Sequence, residues 1–257
     1  MINFLKKSLR FCFSIYGFLV FLLWMFLLLP AFLWAFLEKP IKGGNLIYKI
    51  SRFWADAFFF MLAIKHWNIY EAPFDRNAEY IFVSNHISYL DIPMMMKVIR
   101  GQNLRVLGKA EMNKIPIFGS IYKRGAVTVD RESIEARSKS IKSLIGFIHQ
   151  KISVFICPEG TFNTTHKPLK DFYDGAFRIA IETQKPIIPI LFLDTYDRLN
   201  YKSIFSLNPG KCRGVYLSQT DTAGLTVRDV RKLKEKIYNQ MSEALLRYDA
   251  TWINKER

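Results

Sequence analysis

Cysteine is scarce in this chain. Its 257 residues hold three, Cys12, Cys157 and Cys212, with no paired spacing. That excludes a disulfide framework and a cysteine-based zinc site. The four histidines, His66, His86, His149 and His166, are dispersed as well. His86-x4-Asp91 has no third ligand nearby, so no metal centre is expected. Acidic residues are few: 22 Asp and Glu stand against 37 Lys and Arg, a formal charge of +15. A surplus of that size favours polyanions, whether nucleic acid, anionic lipid headgroups or phosphorylated substrates. There is no low-complexity linker and no internal repeat. One sizeable domain with appendages is the default for this length.

What the chain has in excess is apolar surface. Half of its residues are hydrophobic, and 22 are phenylalanine. That is greasy for a soluble nucleic-acid binder, and no nucleic-acid-reading motif is present. The balance favours a membrane surface. The apolar excess is concentrated near the start. Lys6, Lys7 and Arg10 precede an uncharged run from Phe11 to Leu37, interrupted by Pro30. Phe11 to Leu29 alone is 19 residues, close to the ~20 that cross a bilayer. No small-x-small cleavage site follows it, so it reads as retained. Basic residues flank it on both sides, with Lys39, Lys42, Lys49 and Arg52 after it. Because positive charge marks the cytoplasmic side, a hairpin bent near Pro30, or a helix lying in one leaflet, keeps both flanks there. A one-pass anchor is the simpler alternative. A second patch, Phe53 to Ile64, is too short to span and contains Asp56. It suits the interface, with Trp54 and Trp67 at headgroup depth.

From about residue 70 the texture becomes α/β. Strands are expected at Glu79–Ser84, Leu104–Gly108, Ala126–Val129, Ser153–Cys157, Pro186–Leu193 and Arg213–Ser218. Helices are expected at Ile92–Arg100, Ser133–Lys151, Gly175–Gln184 and Val227–Tyr248, with Glu111–Arg124 a short helix and loop broken by Pro116 and Gly119. This alternation predicts a mixed or largely parallel sheet flanked by helices, with a membrane-embedded helical segment in front. The expected division is a membrane-associated hairpin or anchor over 1–68 and an α/β domain over 69–257. The two prolines of Pro186–Leu193 suit an edge position or a bulge.

Four short stretches carry chemistry-bearing residues at strand ends. Ser84-Asn85-His86-Ile87-Ser88-Tyr89-Leu90-Asp91 places a histidine and a carboxylate at a strand-to-helix turn. Two readings fit: a capping Asp beside an ordinary polar histidine, or a carboxylate that fixes the imidazole tautomer and leaves the other nitrogen free to take a proton. Gly125 to Arg131 is a strand ending in a charged pair. Phe155 to Thr161 is a strand ending in the turn Pro158-Glu159-Gly160-Thr161. Lys185-Pro186-Ile187-Ile188-Pro189-Ile190 is the fourth. In a sheet whose strands run together, these ends gather on one rim, where open α/β sheets bind ligands. Cys157, in a buried strand, reads as an inert core thiol.

In order and content the four stretches resemble the blocks of the glycerolipid acyltransferases, the 1-acylglycerol-3-phosphate acyltransferase family. Asn85-His86-x4-Asp91 is similar to that family's catalytic block, Gly125 to Arg131 to its phosphate-binding block, Pro158 to Thr161 to its third, and Lys185 to Pro189 to its fourth. Lys109, Glu111 and Ile115-Pro116 resemble a segment between the first two. The likeness covers roughly residues 70 to 195. It departs at Cys157, where Phe is usual, at Phe162-Asn163, where Arg and Ser are common, and at Tyr173-Asp174, where lysines are frequent.

The resemblance implies acyl transfer from a thioester, acyl-CoA or acyl-carrier protein, to the sn-2 hydroxyl of lysophosphatidic acid in phospholipid biosynthesis. His86 is then the general base and Asp91 its partner. Arg131, with Lys109, holds the acceptor phosphate. Glu159 orients the glycerol or shapes the loop, and Gly160 and Thr161 complete the binding turn. No cofactor beyond the acyl-CoA or acyl-ACP co-substrate, and no metal, is implied. Membrane phospholipid is the expected partner, and nucleic acid is not. The expected location is the cell membrane, with the catalytic domain on the cytoplasmic face. Rival readings are transfer to a lyso-aminolipid, thioester hydrolysis, and a membrane lipid-binding scaffold without catalysis.

Overall fold

The computed structural model describes residues 2–130 and 133–254. Two helices come first. α1 (Ile2–Leu37) has 36 residues and is about 54 Å long at 1.5 Å per residue. Between Lys7 and Leu37 it is long and apolar enough to cross a membrane, and most of its apolar surface is exposed. The expected bend at Pro30 is absent, because the helix runs through it to Leu37. The chain reverses at Glu38 and Lys39 instead, and α2 (Pro40–Met61) opens on a proline at its first turn. There the fixed φ suits a helix start and the missing N–H has no intrahelical partner to lose. Trp54, expected to face the interface, has ring partners on both helices. It packs inside the hairpin, 5.2 Å from the Phe58 ring and 5.6 Å from that of Phe21.

The sheet follows. Its strands are β1 (Ile64–Tyr70), β2 (Ile81–Ser84), β3 (Leu104–Lys109), β4 (Ala126–Val129), β5 (Ser153–Ile156), β6 (Ile187–Phe192) and β7 (Gly210–Tyr216). Among the described residues it is seven-stranded, in the order β1-β7-β6-β2-β5-β3-β4. The block from β6 to β4 is parallel throughout. β7 runs antiparallel to β6, and β1 runs parallel to β7. The mixed, largely parallel α/β sheet is as expected. β1 was not anticipated, and the boundary drawn at 68/69 falls within it.

The two faces separate residue by residue, because side chains alternate along a strand. Ile81, Val83, Val154, Ile156, Ile187 and Leu191 point one way. They meet the apolar stripes of α5 (Ile134–His149), α6 (Gly175–Thr183) and α8 (Val230–Arg247). Phe82, Phe155, Ile188, Ile190 and Phe192 point the other way, onto α2 and α3 (Asp91–Val98). Both faces are covered, which is why these strands are uninterrupted apolar runs. Truncating a fully buried core side chain such as Ile237 or Phe82 should cost about 2–5 kcal/mol.

β6 is an interior strand, between β7 and β2, and not the edge its prolines suggested. Pro189 sits opposite Val83 of β2, yet its carbonyl accepts from the Leu217 N–H on the β7 side at 3.0 Å. Its missing donor therefore also faces β7, at the very end of the antiparallel ladder, so the cost is one bond, the reciprocal one to Leu217.

The hairpin is fastened to this body by arginines. Arg105, 1% exposed, donates to the Ile41 carbonyl at 3.2 Å and to Asn45 Oδ1 at 3.0 Å, with its guanidinium 4.9 Å from the Phe147 ring centre. Arg124, on α4 (Phe118–Gly125), donates to the Glu38 carbonyl at the reversal. Asp56 of α2 pairs with Lys97 at 2.5 Å and with Arg100, whose Nη1 is 2.9 Å away.

Candidate active site

The carboxyl ends of β2, β3, β4, β5 and β6 lie on one rim, because these five strands are parallel. β2 ends at Ser84, and the chain turns through Asn85 and His86 before α3 begins at Asp91. Asn85 anchors the turn. Its side-chain amide donates to the Phe192 carbonyl at 3.1 Å and its oxygen accepts from the Phe192 N–H at 2.9 Å. Those bonds stitch the ends of β2 and β6 together.

Three donors converge on Oδ2 of Asp91. They are the His86 Nδ1 at 2.8 Å, the Ile87 N–H at 2.7 Å and the Ser88 N–H at 2.9 Å. The two readings of this carboxylate are thus both present in one atom: it ties the turn and it holds the imidazole. Asp91 is 1% exposed while the His86 side chain is 21% exposed. Nδ1 carries the proton toward Asp91, which leaves Nε2 as the acceptor. A histidine held this way can take a proton there, and the buried carboxylate stabilises the imidazolium that results.

β5 ends at Ile156, and Pro158-Glu159-Gly160-Thr161 follows. The Glu159 carboxylate is 1% exposed and both oxygens are engaged: Oε1 accepts the His86 backbone N–H at 2.8 Å, and Oε2 that of Lys170 at 2.8 Å. Burial pushes its carboxyl up to about 8, against the lowering effect of those two hydrogen bonds. Of the two roles expected for Glu159, this geometry is that of a loop brace. Gly160 has φ +73°, and a Cβ there would stand 2.7 Å from the Tyr173 ring. Glycine is required twice over, by backbone sign and by space. Thr161 Oγ1 accepts from Lys170 Nζ at 2.6 Å. Lys109 ends β3 opposite Val129 of β4, on the same rim and two strands from β2. Arg131 lies outside the described residues.

Several participants escaped the sequence reading. Phe162 places its ring 4.4 Å from the His86 ring and 5.0 Å from that of Tyr89. Asn163, 2% exposed, donates its backbone N–H to the His86 carbonyl at 2.7 Å. Its side-chain oxygen accepts from both Thr165 N–H, at 3.0 Å, and Thr165 Oγ1, at 2.7 Å. Ser88 donates its hydroxyl to the Leu199 carbonyl. The signal was available only in part, as polar residues small enough for turns near the histidine. Among the described residues no group of three or more His, Cys, Asp or Glu is arranged to hold a metal ion.

An apolar cavity of about 440 Å³ opens between the hairpin and the sheet body. Its walls come from α1 and α2, from α3, and from the segment between β3 and β4, and include Trp54, Met95, Met96 and Ile121. Tyr89, in the turn between His86 and Asp91, also lines it.

Residues 63–193 match the family model described as acyltransferase. The chain is 31% identical over 173 residues to the mouse protein named 1-acyl-sn-glycerol-3-phosphate acyltransferase alpha, covering 65% of this chain and 59% of that one. It is 28% identical over 171 residues to the Haemophilus influenzae 1-acyl-sn-glycerol-3-phosphate acyltransferase, covering 66% and 69%. So the chain spans less than two thirds of the mammalian relative's length. In structure it is similar to the 1-acyl-sn-glycerophosphate acyltransferase PlsC of Thermotoga maritima, with a TM-score of 0.73 at 19% identity over 97% of this chain and 99% of that one.

Proposed function

The chain belongs to the acyltransferase family, and from that premise we propose that it transfers a fatty acyl group from a thioester to the sn-2 hydroxyl of lysophosphatidic acid. The observation that carries this reading is the buried Asp91 carboxylate holding His86 in a turn whose Tyr89 lines an apolar cavity. An alcohol is a poor nucleophile at neutral pH. Nε2 of His86 takes the hydroxyl proton as the oxygen attacks the thioester carbonyl carbon. Collapse of the tetrahedral intermediate expels the thiolate, and the imidazolium returns the proton to sulfur. General-base assistance of this kind supplies about 10²–10⁴-fold. The alcohol attacks directly, so no acyl-enzyme nucleophile is needed.

The cavity takes the acyl chain. Its volume falls within the roughly 300–1,000 Å³ of small-ligand pockets, and its walls are hydrocarbon and aromatic. Arg131 and Lys109 hold the acceptor phosphate as charge-assisted donors. Glu159 and Gly160 set the loop that closes over the histidine. Asp174, which lowers the positive charge beside the third block, is paired with Lys234 of α8 at 2.7 Å. That pairing supports a phosphate-bearing acceptor over a lyso-aminolipid. α1 and α2 hold the domain on the cytoplasmic leaflet, where lysolipid from the bilayer and acyl-CoA or acyl-carrier protein from the cytosol both reach it.

The test is purified full-length protein with radiolabelled acyl-CoA and acyl-carrier protein, offered lysophosphatidic acid, a lyso-aminolipid, or no acceptor. Labelled phosphatidic acid is the expected product. Label appearing only as free fatty acid would make the protein a hydrolase, and label in the aminolipid alone would reassign the acceptor. Arg131→Ala should mainly raise KM for lysophosphatidic acid; an unchanged KM with lowered stability would make Arg131 structural.

A further inference from the structure

A second concavity, of about 560 Å³, lies where the first turns of α1 meet the loop between α7 (Thr195–Arg198) and β7. It is lined by Lys7, Ser8, Arg10, Phe11 and Cys12 on the helix, and by Ser203, Phe205 and Ser206 on the loop. None of these residues lines the apolar cavity beside His86. Among the described residues no carboxylate pairs with Lys7 or Arg10. Opposite them, Ser203 Oγ accepts the Phe205 N–H at 3.1 Å and retains its own proton as a donor. Two cations and a hydroxyl facing one bowl suit a phosphate diester.

The surroundings choose which phosphate. The Phe11 and Phe205 rings, 5.0 Å apart, form the apolar side of the bowl. From Phe11 an exposed row continues along α1 through Ile15 and Phe18, at helical spacings of four and three. The charged bowl therefore sits at the edge of the apolar run, where headgroups lie, and the row leads into the acyl region. We infer that this bowl binds the headgroup of an anionic membrane phospholipid, with its chains along Phe11, Ile15 and Phe18.

The bowl is wired to the catalytic turn. Leu207 donates its N–H to Ser14 Oγ of α1 at 3.2 Å, and the helix approaches so closely at Gly17 that a Cβ there would stand 2.2 Å from Leu207 Cδ2. Ser206 Oγ accepts the Asn200 N–H at 3.0 Å. Asn200 is bridged to Ser88 and is followed by Tyr201, whose ring stacks 6.2 Å from that of Phe162. Phe162 packs on His86. A lipid that clamps α1 to the loop thus holds one wall of the entrance to His86. That link to turnover rests on the acyltransferase reading, whereas lipid binding itself does not.

Amide hydrogen exchange of residues 199–207 tests this without requiring turnover. The full chain is compared in detergent micelles doped with phosphatidylglycerol, with phosphatidylcholine, or with inorganic phosphate added. Protection should appear with phosphatidylglycerol alone. In Lys7→Gln/Arg10→Gln it should be lost, the phosphatidylglycerol requirement rising roughly fivefold for each side chain removed. Arg228→Gln/Lys232→Gln removes equal charge from α8 and the turn before it, and should behave as the parent chain. Equal protection by phosphatidylcholine or by inorganic phosphate, equal loss in the α8 variant, or undiminished protection in the Lys7/Arg10 variant would each overturn the site. Anionic lipid that protects the loop while leaving acyl transfer unchanged would overturn the wiring and leave the site standing.

Discussion

The carboxylate of Glu159 accepts the backbone N–H of His86 at 2.8 Å, so the turn that carries His86 is held from across the rim by the loop after β5. Its other oxygen holds Lys170 in the same way. In Glu159→Gln one of these backbone N–H groups meets an amide N–H₂ instead of an acceptor. A buried donor left unsatisfied costs about 1–3 kcal/mol. The variant should unfold at lower temperature in a calorimetric scan and should lose turnover through misplaced His86.

The same group makes stability depend on pH. Burial raises the Glu159 carboxyl from 4.5 to about 8. The folded chain then binds a proton that the unfolded chain has released, so this contribution is fully present below about 4.5 and is lost as pH rises through about 8. The melting temperature should fall between pH 6 and pH 9. In Glu159→Gln that part of the slope should vanish. An unchanged slope in the variant would assign the pH dependence to another group.

His86→Ala should lower acyl transfer by at least about 10²-fold while leaving the far-ultraviolet circular dichroism and membrane association intact. Turnover near the parent rate would remove His86 from the chemistry.

Asp91→Asn separates charge from orientation. All three donors meet Oδ2, so an amide oxygen in that place keeps the turn and the imidazole tautomer. The loss in kcat should fall well short of the about 10⁴-fold that follows when a substituted triad holds its histidine in the wrong tautomer. A loss as large as that, measured with intact folding, would show that the amide has flipped.

Ile121→Trp should shorten the acyl chain that the cavity accepts. The added ring fills space between α2 and α4, and each methylene denied burial forfeits about 0.8 kcal/mol. Competition between long-chain and short-chain thioesters measures the shift, and an unchanged preference would place the chain elsewhere.

The strands of the parallel block were legible because each is a short apolar run closed by a turn. The closeness of His86 to Asp91 was legible from their spacing across a strand-to-helix turn. β1 was not, because Ile-Lys-His-Trp-Asn-Ile-Tyr follows directly on an apolar helix and its polar Lys65, His66 and Asn68 break strict alternation, which reads as an interfacial segment. The bend expected near Pro30 is replaced by a helix continuous to Leu37, since Pro30 interrupts the composition without interrupting the helix. Pro189 misled in the opposite direction: at the end of the β6/β7 ladder an interior strand gives up a single bond to accommodate a proline. The Glu159 brace depends on residues far apart in the chain, and no local pattern encodes it.

The strand order has a consequence for biosynthesis. β1 follows the hairpin directly in sequence, yet its partner in the sheet is β7, near the other end of the chain. At ordinary ribosomal speeds, on the order of ten seconds separate the emergence of the two. Throughout that interval β1 is outside the ribosome while the edge it pairs with is unmade. Its unpaired edge, beside the exposed apolar surface of α1, stays open to a membrane or a chaperone until the sheet closes.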